Sequence, residues 1–221
     1  MDRIILYHGS ENIVEKPEYG KGSNTSDYGN AFYCTNDVDA AKEWANKRRA
    51  GGYANKYQFD GRGLSVLDLT DRSKYSVLHW VALLMNNRDL DSDFEENYAK
   101  ELEFLKDNYF IDVTQYDVVI GYRADDSYFL FPLMFVSSDI RLEALEDIYN
   151  LGYYLQKQVA IISKKAFGRL KFIEAIKAEP IYYDKYQTRV TLADERFREI
   201  AKSERWKDGT KLIDLVKAND K

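Results

Sequence analysis

The apolar segments of this chain are short, bounded by glycine- and asparagine-rich turns, and out of regular step with its helices, and that order limits the folds open to it. Ile4 to Tyr7 and "AFYCT" (31–35) read as strands, separated by the loop "VEKPEYGKGSNTSDYGN". Asn36 or Asp37 then caps a helix, "DVDAAKEWANKRRA", whose basic last turn suits the helix dipole and which Gly51 and Gly52 end. "YANKYQF" and "LSVLDLT" read as strands joined through the hairpin turn "DGRG". Helices are expected over 72–87 and 93–107, and "YDVVIGY" (116–122) is a buried strand followed by the turn "RADDS". "FPLMF" fits either element, and "SSDIRLEALEDIYNLGYYL" is a helix. "QVAIIS" is a strand, "KKAFGRL" a short helix or turn, and "KFIEAIKA" a strand that ends before Pro180. Strands early, helices in the middle, strands again late and a helical tail make an α+β pattern, unlike the even alternation of a doubly wound fold. Neither GxGxxG nor a P-loop occurs.

At 221 residues the chain can bury one sizeable core. Residues 1–180 are expected to form the domain, and 181–221 a helical extension packed on it. With 37 acidic and 32 basic residues the net charge is −5, which disfavours strong non-specific binding to nucleic acid or an anionic membrane. A single cysteine allows no internal disulfide and fits a reducing cytoplasm. "MDRIILYHGS" lacks the apolar centre of a signal peptide, and no apolar run is long enough to span a bilayer.

The two histidines differ in setting. His79 lies in the apolar helix "YSVLHWVALLM" and reads as a packed core or edge residue. His8 ends an apolar run and precedes Gly9, an arrangement that aims an imidazole and bare backbone into a cleft, or simply makes a structural hydrogen bond. Cys34 stands alone as a small buried hydrophobe, so no zinc spacing is present.

Three separated pieces line up: "YHGS" (7–10), "DYGNAFYCTNDVDAAKEWA" (27–45) and "QVAIISKKAFGRLKFI" (158–173). Together they resemble the ADP-ribosyltransferase superfamily, on the side of poly(ADP-ribose) polymerases and diphtheria toxin. Within it the chain looks most like the bacterial family called domain of unknown function 3990, a likeness to which "GYRADD" (121–126) adds. The resemblance spans most of residues 3–178. It implies a split β-sheet core with peripheral helices, and NAD as the ADP-ribose donor with no metal. It also implies transfer to a macromolecular acceptor, protein or nucleic acid. A bacterial toxin or phage-defence role, with a neutralising antitoxin as partner, is in keeping with it. A non-catalytic NAD-binding or protein-interaction module of the same fold is the alternative. The RNA 2′-phosphotransferase branch is disfavoured, because it relies on more basic residues.

The resemblance also assigns roles. His8 would bond a ribose hydroxyl, and Gly9 would let nicotinamide approach the backbone, with Ser10 beside them. Gly29 would make the turn before the second strand. Tyr33 on that strand and Trp44 on the helix would sandwich nicotinamide, with Phe32 also at the NAD site, although Trp44 also reads as the core face of an amphipathic helix. Ala41 stands where the polymerases carry a hydroxyl residue. Gln158 stands where polymerases and toxins carry a catalytic glutamate, and a single preorganised electrostatic contact of that kind is worth about 3–4 kcal/mol. Gln158 reads otherwise as a strand-edge amide. Asp125 or Asp126 would supply a carboxylate in its place, or both are solvated turn residues. Arg123 would pair with the pyrophosphate through its planar fork, or lie on the surface.

Overall fold

A computed structural model describes residues 1–49, 51–124, 128–150, 156–201 and 208–219. Among them the chain runs through β1 (Arg3–Ser10), β2 (Phe32–Cys34), α1 (Val38–Ala45), β3 (Gly52–Asp60) and β4 (Val66–Asp68). It continues with α2 (Val77–Asn87), α3 (Ser92–Asn97), α4 (Ala99–Tyr109), β5 (Val118–Tyr122), α5 (Leu130–Val136) and α6 (Leu142–Asn150). Last come β6 (Lys157–Ile161), α7 (Lys164–Phe167), β7 (Leu170–Ala178), α8 (Ile181–Ala201) and α9 (Leu212–Asn219). The fold is α+β with two sheets.

One sheet is antiparallel, in the order β1-β3-β7; the other has four strands in the order β2-β6-β5-β4, with β4 and β5 parallel. A lone antiparallel bridge between Tyr7 and Thr35 joins β1 to the end of β2, with Tyr7 N–H donating to Thr35 O at 2.7 Å and Thr35 N–H to Tyr7 O at 2.9 Å.

Strand alternation divides the interior in two. Phe32, Cys34, Val118, Val159 and Ile161 face Ile4, Leu6 and Phe59 in a small core between the sheets. Tyr33, Val119 and Ala160 point the other way, into a larger core closed by α2, α4, α5, α6 and α9. His79 belongs to that helical layer: its Nδ1 accepts from the Ser76 N–H at 3.1 Å, and its ring packs edge-on against Tyr75 and Tyr109. The helical tail is tied down at both ends. Tyr182 of α8 donates to Asp39 of α1 at 2.7 Å, and Leu212 and Val216 of α9 are buried in the larger core.

Several local expectations change. β1 runs on to Ser10, so His8 and Gly9 lie within a strand, paired with Asn55 and Ala54. Helix α1 is capped by Asp37, whose carboxylate accepts from Asp39 and Ala40 N–H, and it ends at Ala45. Lys47, Arg48 and Arg49 therefore follow the helix, with Arg49 at φ 58°. "DGRG" makes a turn but no hairpin. β1 and β7 occupy both edges of β3, so the chain leaves that sheet and β4 pairs with β5. The helix expected over 93–107 breaks at Tyr98, and "FPLMF" is helical.

Candidate functional site

Glycines let the parts of the site come close. A Cβ on Gly9 would lie 2.0 Å from the Ala41 carbonyl and 2.8 Å from the Trp44 Cβ, so only glycine lets α1 settle on β1. The space a side chain would take is thus filled by the helix, while Gly9 itself also borders a cavity. Gly121 of β5 plays the same part for Tyr28, whose hydroxyl would meet its Cβ at 2.0 Å. With that ring seated on β5, the Tyr28 hydroxyl donates to Tyr122 O at 2.8 Å, and the loop before β2 is fastened across the sheet.

Beside these contacts lies an open cavity of about 260 Å³ lined by His8, Gly9, Tyr33, Trp44, Arg123 and Gln158, together with Ser26, Asp27, Lys47, Arg88 and Ala124. The first six were expected at the site, and they arrive from β1, β2, α1, the end of β5 and β6.

His8 shares the inward face of β1 with Ile4 and Leu6. Its Nδ1 lies 2.7 Å from the Tyr33 carbonyl. A carbonyl only accepts, so Nδ1 carries the proton. Burial holds the imidazole below its usual pKa, against the opposing pull of that backbone bond, so the ring is neutral and Nε2 is an acceptor. The Tyr33 hydroxyl is committed internally: it donates to Gly29 O at 2.7 Å and accepts from Tyr28 N–H at 2.9 Å. Its ring is what the cavity meets. The Trp44 indole N–H donates to Gln156 Oε1 at 2.6 Å, and the Arg123 guanidinium lies 4.6 Å from the Trp44 ring centroid. Gln156 in turn donates to Glu43 at 3.3 Å, and Arg189 of α8 bonds the same carboxylate at 2.9 Å. The tail helix thus braces the wall that carries Trp44.

Gln158 is 3% exposed. Its Nε2 donates to Asp27 Oδ2 at 2.8 Å and to Tyr122 O at 3.3 Å. The Tyr122 carbonyl only accepts, and Asp27 Oδ2 already accepts from Ala124 N–H, which fixes the amide nitrogen on that side and leaves Oε1 as the acceptor it can offer a ligand. Asp27 is the residue the sequence reading missed. An acid in a Gly/Asn/Ser-rich loop reads as a solvated turn, yet this one is 4% exposed. Its Oδ2 also accepts from Ala124 N–H at 2.9 Å. Its Oδ1 makes no hydrogen bond among the described residues, with Arg88 Nη1 3.5 Å away. Burial raises its pKa, opposed by Arg88, Gln158, Ala124 and Arg123.

Other expected site residues lie elsewhere. Phe32 points to the opposite face from Tyr33 and backs the His8 ring, 4.3 Å between centroids, inside the small core. Ser10 donates to Asn12 O and accepts from Asn55 Nδ2, away from the cavity. Gly29, at φ 71°, makes the turn before β2 and lines a neighbouring cavity with Asn24, Asn30, Asn86 and Asn87. Asp125 and Asp126 lie outside the described residues. Among the described residues no group of three or more His, Cys, Asp or Glu is arranged to hold a metal, and no helix is long and apolar enough to cross a membrane.

Fold and cavity together define an α+β protein with one imidazole, two aromatic rings, a buried carboxylate–amide pair and three cationic side chains around a small hollow. Residues 4–172 match the model of a family described as "Protein of unknown function (DUF3990)", and the chain belongs to that family. Comparisons with curated proteins and with solved structures returned no match.

Proposed function

We propose that this protein is an NAD-dependent ADP-ribosyltransferase with an ADP-ribosyltransferase-like split sheet, acting on a protein or nucleic-acid acceptor. The observation that carries the reading is the convergence of His8, Tyr33, Trp44 and Gln158 on one cavity beside the bridge between the sheets. Those residues answer the chemistry of the donor. His8 Nε2 and Gln158 Oε1 are both acceptors, the complement of two ribose hydroxyls. Tyr33 and Trp44 offer aromatic surface to a planar pyridinium ring. Lys47, Arg88 and Arg123 give the lining an excess of positive charge, suited to a diphosphate, in a chain whose net charge is −5. At about 260 Å³ the cavity is at the small end for ligand sites and matches nicotinamide with its ribose rather than the whole dinucleotide.

In the transfer, the bond from ribose C1′ to the pyridinium nitrogen breaks and both electrons leave with neutral nicotinamide. A lone pair of the acceptor forms the new bond to C1′, and the acceptor's proton passes to solvent. His8 and Gln158 hold the sugar and aim electron-rich atoms at the positive charge that develops on it. The resemblance, rather than the cavity, carries the further expectation of a toxin or phage-defence role with a neutralising partner.

A second reading, an NAD-binding module without transferase activity, is favoured by one feature: Gln158 has no charge of its own. Purified protein incubated with NAD, with and without separate protein, DNA and RNA pools, separates the two. Nicotinamide release with label in one pool, lost in folded His8→Ala and Tyr33→Ala variants, is the expected result. NAD bound without release supports the module. Neither binding nor release overturns both.

A further inference from the structure

We propose that Asp27 is a positioning residue that acts through Gln158, so that the two side chains together replace a single catalytic glutamate. This deepens the reading of the cavity as an NAD site and rests on it. Gln158 alone could present either its oxygen or its nitrogen to a ribose. Asp27 Oδ2, 2.8 Å from Nε2, removes that choice: with Tyr122 O it takes up the nitrogen and turns Oε1 toward the ligand. An amide oxygen is a weaker acceptor than a carboxylate. A hydrogen bond from Nε2 to an ionised carboxylate polarises the amide and adds electron density at its far oxygen. Asp27 does not reach the ligand by its outer oxygen, because Oδ1 is shielded from solvent within the loop.

The surroundings give this carboxylate a cost that packing alone does not explain. It is buried, its Oδ1 has no hydrogen bond among the described residues and only an ion-pair contact with Arg88 Nη1 at 3.5 Å, and burial outweighs the attraction of Arg88 and Arg123 so that its pKa is raised. An asparagine in the same place could still accept from Ala124 N–H and Gln158 Nε2 through one oxygen. The groups that face Asp27 are Arg88 after α2, Arg123 after β5, Gln158 on β6, Tyr28 next to it in the chain and Tyr33 on β2. Groups from three parts of the fold hold it in place: besides the side-chain bonds to Ala124 after β5 and Gln158 on β6, its own carbonyl accepts from Asn87 Nδ2 of α2 at 3.0 Å.

The test is a double-mutant cycle on nicotinamide release from NAD, with folding checked by thermal unfolding. Asp27→Asn keeps the geometry and removes the charge. It is expected to lower kcat on the order of tenfold with KM for NAD little changed. Asp27→Ala, which also frees the amide to turn, is expected to lower kcat on the order of a hundredfold. Added to Gln158→Ala, neither substitution should cost anything more, because its effect passes through Gln158. A kcat untouched by Asp27→Asn, or losses that multiply in the Gln158→Ala background, overturns the proposal while leaving the NAD reading in place. A wild-type protein that binds NAD but releases no nicotinamide overturns the proposal and the transferase reading, and one that neither binds nor cleaves NAD overturns the NAD reading as well.

Discussion

Gln158 Nε2 donates to Asp27 Oδ2 at 2.8 Å, joining β6 to the loop before β2 across 131 residues of chain. The bond brings a buried amide and a buried carboxylate from distant parts of the chain together at the cavity wall. It also makes Asp27 a group whose chemistry and stability pull in opposite directions.

Asp27→Asn should not destabilise the protein at neutral pH, and should raise its melting temperature. The native pKa of Asp27 is raised by burial, so the native state holds this proton more tightly than the unfolded chain. The stabilisation from that proton is complete below the unfolded carboxylate value and is lost as pH rises through the raised native value. Asparagine escapes that loss. Thermal unfolding across a pH series should show the variant's advantage at neutral pH and its shrinkage toward acid; a variant that melts lower at neutral pH contradicts it.

His8 should keep the cavity competent below the ordinary histidine range. Burial lowers its pKa, so Nε2 stays an acceptor until pH falls beneath that lowered value. NAD cleavage by wild-type protein should therefore persist through pH 6.5, the ordinary histidine value, and fall only under more acid conditions. His8→Ala should abolish most of the activity at every pH. A wild-type acid limb centred at or above the ordinary value would count against a neutral His8.

Tyr33→Phe should cost stability more than ligand binding. The hydroxyl closes the turn before β2 by serving Gly29 O and Tyr28 N–H, and its loss leaves two backbone groups short of a partner. The expected cost is about 1–3 kcal/mol in denaturant unfolding. The ring remains, so NAD binding measured by calorimetry should survive in Tyr33→Phe and be lost in a folded Tyr33→Ala. Equal loss in both would tie the hydroxyl itself to the ligand.

Gly9→Ala should destabilise the fold even without ligand. The new methyl would overlap the Ala41 carbonyl, a backbone atom that moves only if α1 lifts from β1. A loss of about 1–3 kcal/mol is expected, with Trp44 fluorescence shifted as the helix moves. Wild-type stability with impaired NAD binding would return Gly9 to the role of a ligand-facing glycine.

Much of the element pattern was legible in the chain because it depends on neighbours. Branched residues in "YDVVIGY" and "QVAIIS" mark β5 and β6, and the aspartate before "VDAAKEWA" marks the start of α1. The false hairpin at "DGRG" shows the limit of such signals. Its glycines specify a turn, but the pairing that follows depends on which strand edges remain open, and those edges are filled by β1 and by β7 more than a hundred residues later.

The same division runs through the site. The sequence by itself determined the α+β order of elements, and it marked His8, Tyr33, Trp44, Arg123 and Gln158 through short motifs that resemble those of a known superfamily. Only the tertiary structure decided which of the marked residues share a wall, turning Phe32 into support for His8 and Gly9 into a seat for α1. It alone drew Asp27 out of an apparently solvated loop. Burial and partnership are properties of what folds over a residue, and for Asp27 the covering groups, Arg88, Ala124 and Gln158, lie 61 to 131 positions away.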